Sequence, residues 1–110
     1  MSEITFKVQG SESDPYVVTF AKDGANLTAT CSCRAGKLGQ YCKHRLNILL
    51  GDTDGMVGGD PADVAVVVSW LPGSDVEEAL QQLAAAEAVA AKAQAEVVGL
   101  RKALGRKLSN

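Results

Sequence analysis

Cys31-Ser32-Cys33-Arg34-Ala35-Gly36-Lys37-Leu38-Gly39-Gln40-Tyr41-Cys42-Lys43-His44 gathers all three cysteines and the single histidine of a 110-residue chain. The pattern is Cys-x-Cys, a glycine-containing spacer, then Cys-x-His. Two close pairs of this kind supply three thiolates and one imidazole, the donor set of a four-coordinate structural zinc. Buried cysteines otherwise behave as small apolar residues, but such residues have no reason to crowd into one short stretch with the only histidine. Three cysteines cannot all pair as disulfides, and Cys31 and Cys33 are too close in sequence to bridge readily. A redox Cys-x-x-Cys pair is absent.

The Cys-x-Cys, variable loop and Cys-x-His, continuing as Arg45-Leu46-Asn47-Ile48-Leu49-Leu50, resembles the SWIM zinc finger, together with the strands that precede it. The resemblance covers roughly residues 4–50 and matches the family's four ligand positions in type and order. It implies a zinc ion held by Cys31, Cys33, Cys42 and His44, and binding to DNA or to other proteins without catalysis by the finger itself.

Upstream, Ile4-Thr5-Phe6-Lys7-Val8-Gln9 alternates apolar and polar residues as a strand with one buried face does, and Tyr16-Val17-Val18-Thr19-Phe20 is a second β-rich run. Asp23-Gly24 is the turn signal between it and a third strand, Ala25 to Cys31, because both residues accept positive φ. Alternation then points Leu27, Ala29, Cys31 and Cys33 one way and Thr28, Thr30 and Ser32 the other. Gly36 and Gly39 let the spacer turn around the metal and offer N–H groups to thiolates, with Tyr41 as a shield. In the helix that follows, Cys42, Leu46, Leu49 and Leu50 share a face for the sheet, while Lys43 and Asn47 face outward.

The net charge of −2 conceals segregation: residues 1–50 carry +2 and residues 51–110 carry −4. Arg34, Lys37, Lys43 and Arg45 surround the ligands with no acid among them in sequence, and Arg101, Lys102, Arg106 and Lys107 close the chain. A solvated face accounts for the first cluster as well as a partner does, and the helix dipole accounts for the second. If the finger contacts DNA, Arg34, Lys37, Lys43 and Arg45 are expected at phosphates and Asn47 at a base edge. The lack of interleaved aromatics argues against stacking on single strands.

Residues 51–59 read as a Gly/Asp linker, and the spacing of Asp52, Asp54 and Gly55 does not match a calcium loop. Asp60-Pro61 opens a helix by its cap and first-turn proline, yet Val64 to Trp70 is rich in β-branched residues, so a buried strand stands as the alternative to the preferred helix. Trp70 is a core or interface anchor. Ser74-Asp75-Val76-Glu77 is a capping box that opens a helix to about Leu108. Along it Val76, Leu80, Leu83, Ala86, Ala90, Ala93, Val97, Leu100 and Leu104 recur at steps of three and four, giving coiled-coil character. A helix about 50 Å long exceeds what one finger covers. A homo-oligomer through this helix is expected, or docking on residues 60–71, with an intramolecular fold-back as the alternative.

At this length the chain holds one small domain and an appended element, too little for a large enzyme core. Apolar residues make up 46% of the chain but aromatics only 5%, so a metal cross-link compensates for a core of small side chains. With the only histidine committed to metal, no general base and no phosphate-cradling loop remain, and no enzyme activity or small-molecule substrate is expected. No apolar run spans a bilayer and the start is unlike a signal peptide, so a cytoplasmic protein is expected. The sequence therefore specifies an α+β fold: a small antiparallel sheet and helix around one structural zinc (residues 1–50), the linker (51–59) and a helical C-terminal region (60–110). It reads as a non-catalytic DNA-binding module dimerised through its helix, or a protein-interaction adaptor.

Overall fold

Alternation of apolar and polar residues builds the sheet as expected. The structure, a computed structural model, describes residues 2–109. Strand β1 (Ser2–Val8) buries Phe6 and Val8, β2 (Tyr16–Asp23) buries Val18 and Phe20, and β3 (Asn26–Cys31) buries Leu27 and Cys31. Antiparallel register sets Phe6 opposite Val18 and Ile4 opposite Phe20, and Cys31 opposite Val18 on the other side. The Phe6 and Phe20 rings meet edge to face, centroids 6.1 Å apart. Phe6, Phe20, Val18 and Val67 are fully buried. Each such side chain contributes about 1.5–3 kcal/mol relative to exposure.

The hairpin between β2 and β3 turns one residue later than Asp23-Gly24. Asp23 stays in the ladder opposite Asn26, and the two-residue loop is Gly24-Ala25. Gly24 alone takes a positive φ, +60°, which suits a two-residue hairpin loop whose first central residue is glycine.

Residues 56–58, inside the stretch read as a linker, form strand β4 (Met56–Gly58), which pairs antiparallel with β1 and gives the sheet order β3-β2-β1-β4. Three residues are too few to show a period, and what holds them is the free edge of β1, continued by the Gln9 N–H donating to the Gly55 carbonyl at 2.8 Å. Before it, helix α2 (Lys43–Leu49) closes in a Schellman motif: Gly51 N–H donates to Ile48 O and Asp52 N–H to Asn47 O.

Residues 61–69 are helix α3 (Pro61–Ser69) rather than strand. The Asp60 carboxylate accepts from Ala62 N–H at 2.9 Å and Pro61 occupies the first turn. The valines fit because Val64 and Val67, three apart, fall on one buried face. Trp70 caps the helix and is half-buried. Helix α4 (Asp75–Leu108) has 34 residues, about 51 Å. Ser74 Oγ accepts from Glu77 N–H at 3.2 Å, but the Glu77 carboxylate takes the N–H of Gly73, since that of Ser74 is bonded to Leu71 O. The start of α4 is tied to the β2–β3 hairpin: Asp75 accepts from Leu27 N–H and donates its own N–H to Ala25 O, both at 3.0 Å.

Two compact units result, one ending at Glu77 and one beginning at Glu78. The first holds the sheet, the shorter helices and the core. The second is the remainder of α4, which passes Gly99 and Gly105 without a break, and no residue of α4 is buried. Among the described residues, no helix is long and apolar enough to cross a membrane.

Candidate metal centre

The end of β3 delivers the first pair of ligands. Beyond Cys31, Ser32 prolongs the ladder with β2, donating its N–H to Val17 O at 3.1 Å and accepting from Val17 N–H at 2.9 Å through Oγ. This holds Cys31 and Cys33 on the same buried side, as alternation requires. Cys33 then caps a short helix, α1 (Arg34–Lys37), with its Sγ accepting from the Gly36 N–H at 3.3 Å. The sulfur takes the place that a serine or aspartate oxygen has at other helix starts. Gly36 is needed for space: a Cβ there would lie 2.5 Å from Cys31 O and 2.7 Å from Cys31 Cβ.

The second pair comes from the start of α2, where Cys42 is the N-cap residue and His44 is in the first turn. The four donor atoms lie within 4.8 Å of one another. Cys33 Sγ and Cys42 Sγ are 3.4 Å apart, and His44 Nδ1 is 3.8 Å from Cys31 Sγ and 3.6 Å from Cys42 Sγ. Zinc–sulfur bonds of about 2.3 Å and zinc–nitrogen bonds of about 2.0–2.1 Å give tetrahedral edges of about 3.8 Å between sulfurs and about 3.6 Å from sulfur to nitrogen. Donor chemistry and spacing both fit zinc, and the protein binds zinc through this Cys3His cluster. A donor set that fills all four corners belongs to the structural class.

The three cysteines are buried and His44 is half-buried. Burial pushes the Cys31 thiol up to about 12, against the opposing pull of the Cys33 N–H. Burial acts on Cys42 in the same direction, but the Arg45 N–H and the adjoining Cys33, His44 and Cys31 groups outweigh it and bring that thiol down to about 6. In the metal-free cluster at neutral pH, Cys42 is therefore ionised and Cys31 keeps its proton.

The surroundings differ in part from what the sequence suggests. Tyr41 does not shield the centre, being 71% exposed. Its place is taken by Tyr16 on β2, whose ring lies 4.9 Å from the His44 ring at a tilt of 45°. Tyr16 shares its strand face with Val18 and Phe20, and this alternation is the signal that pointed to the buried side. Helix α2 buries Ile48 and Leu49 beside Cys42, whereas Leu50, expected inside, ends the helix and is exposed.

Arg34, Lys37, Lys43 and Asn47 are exposed. Arg45 is not free: its guanidinium donates to Ala29 O on β3 at 2.9 Å and to Gln40 O just ahead of Cys42. It ties the strand of the first pair to the loop of the second. Lys43 and Asn47 line a cleft that also holds Asp52 and Asp54, and Lys37 lines another with Glu12 and Asp14. Lys37 and Lys43, with only bases near them in sequence, thus have acids near them in space.

Residues 16–50 match the family model described as SWIM zinc finger, a stretch that contains all four ligands. No curated protein and no solved structure matches the chain.

Proposed function

We propose that this chain is a non-catalytic DNA-binding module that self-associates through α4. The observation that carries the DNA reading is the exposure of Arg34, Lys37 and Lys43 on the segments clamped by the metal ligands. Bases on a rigid loop reach phosphates without losing much side-chain support, and such contacts give affinity without sequence preference. Asn47, one helical turn beyond Lys43, is the base-edge candidate. Arg45 drops out of this surface because each of its terminal nitrogens donates to a backbone carbonyl and holds the side chain against the protein. The nearby acids Asp52 and Asp54 oppose a phosphate on that side, so the contacts fall to few bases and the binding is weakened by salt through those bases. Cytoplasmic residence is part of the same proposal.

A protein partner is the second reading, favoured by Leu38 and Tyr41, 61% and 71% exposed in the loop between the ligand pairs. An aromatic anchor on a metal-braced loop suits a protein interface better than a phosphate backbone. Fluorescence anisotropy of the zinc-loaded chain against a labelled random duplex, at low and physiological salt, separates the two. DNA binding that falls steeply with salt and is lost in Lys43→Glu supports the first reading. No binding at low salt refutes it and moves the search to partners lost in Tyr41→Ser.

A further inference from the structure

From Leu83 onward the apolar seam of α4 lies open, with Leu100 63% and Leu104 60% exposed. The charges of the same helix are divided. Residues 75–90 carry Asp75, Glu77, Glu78 and Glu87 with no base, and residues 91–108 carry Lys92, Arg101, Lys102, Arg106 and Lys107 against the single acid Glu96. The halves bear −4 and +4. Apart from Lys92 and Glu96, none of these groups has an opposite charge three or four residues away along the helix, the distance at which neighbours on one helix pair. Attraction to the helix dipole reaches only the first and last turns and leaves Glu87, Arg101 and Lys102 unaccounted for.

We propose that two copies of this chain pair through α4 in antiparallel orientation, the acidic half of each lying against the basic half of the other. This rests on the self-association proposed above and specifies its geometry. With the two helices overlapping over their full length, residue pairs such as Ala90 and Ala93, Ala86 and Val97, and Leu83 and Leu100 face each other across the seam. Parallel pairing would align the apolar residues too, but would set acid on acid and base on base from end to end. Like charges in that position are unfavourable, and opposite charges on the flanks of a helix pair set its orientation. As a consequence, the first residues of the two α4 helices lie about 50 Å apart.

The test uses the full, zinc-loaded chain with a spin-labelled noncanonical residue at Gln81, which leaves the native cysteines untouched. In the antiparallel pair the two labels are offset by about 32 Å along the axis, whereas in a parallel pair only the helix spacing of about 10 Å and the label arms separate them. Pulsed dipolar spectroscopy should give a distance beyond about 30 Å. A dimer with labels closer than about 20 Å overturns the antiparallel arrangement and leaves self-association standing. Sedimentation as a monomer at millimolar protein overturns both. As a second readout, Glu77→Lys with Glu78→Lys, which lie level with Lys102 and Arg106 of the other copy, should weaken the dimer about tenfold at low salt and much less at about 1 M salt. A parallel dimer would stay within about twofold, because it would only exchange like acids for like bases.

Discussion

Replacing Gly36 with alanine should weaken zinc binding without touching a ligand. The glycine lies in α1, and its φ is not in the left-handed region, so backbone strain is not the issue. Space is: the added Cβ would sit 2.5 Å from Cys31 O, a backbone atom with no freedom to swing away. Relief requires α1 to move off β3, which also withdraws the Gly36 N–H from Cys33 Sγ, now at 3.3 Å. Overpacking of this kind costs about 1–3 kcal/mol. Loss of a hydrogen bond to a ligating group lowers metal affinity by about 10–100-fold. The two estimates agree, since a factor of 10–100 corresponds to about 1.4–2.7 kcal/mol. Competition against a chromophoric chelator at neutral pH measures the affinity, with Gly99→Ala as a control whose Cβ enters open space. An affinity for Gly36→Ala within about twofold of the parent would mean that the loop tolerates the side chain and that contact with Cys31 does not hold α1 in place.

Arg45→Met should destabilise the first unit by about 1.5–3 kcal/mol, since it deletes the charged donor of two backbone carbonyls, and denaturant unfolding of the zinc-loaded chain reads this. If stability were unchanged while DNA affinity fell, the guanidinium would be a phosphate contact after all. Zinc affinity should rise with pH: a proton bound more tightly by the buried Cys31 thiol, raised to about 12, must be expelled, whereas Cys42, lowered to about 6, is already ionised at neutral pH. Between those two values at least one proton is released per zinc from Cys31, and calorimetry in buffers of different ionisation enthalpy counts it. A pH-independent affinity near neutrality would contradict this.

The ligand set was legible because ligation depends on residue type and spacing, and the chain has no cysteine or histidine besides Cys31, Cys33, Cys42 and His44. The three strands before them were legible from alternation. What was not legible depends on contacts between distant segments. Strand β4 exists because β1 has an open edge, and three residues are too few to carry a pattern of their own. The role of Arg45 depends on Ala29 O and Gln40 O, and backbone atoms leave no mark in the sequence. The exchange of Leu50 for Ile48 in the core follows from where α2 ends, a boundary that the continuing apolar run hides. Tyr16 at the histidine was readable in principle, since it shares the buried strand face, but only with the β2–β3 register in hand.

One zinc ion closes the Cys3His cluster, and its binding is expected to couple to the fold of the first unit. Titrating cobalt into the metal-free chain tests it most directly, with optical spectroscopy following the metal and circular dichroism following the fold. Saturation at one ion per chain is expected, with intense visible bands of a tetrahedral thiolate site, displacement by zinc, and gain of structure in step with binding. Cys42→Ala should abolish both signals. Weak octahedral absorption, or full folding of the metal-free chain with no change on titration, would contradict it.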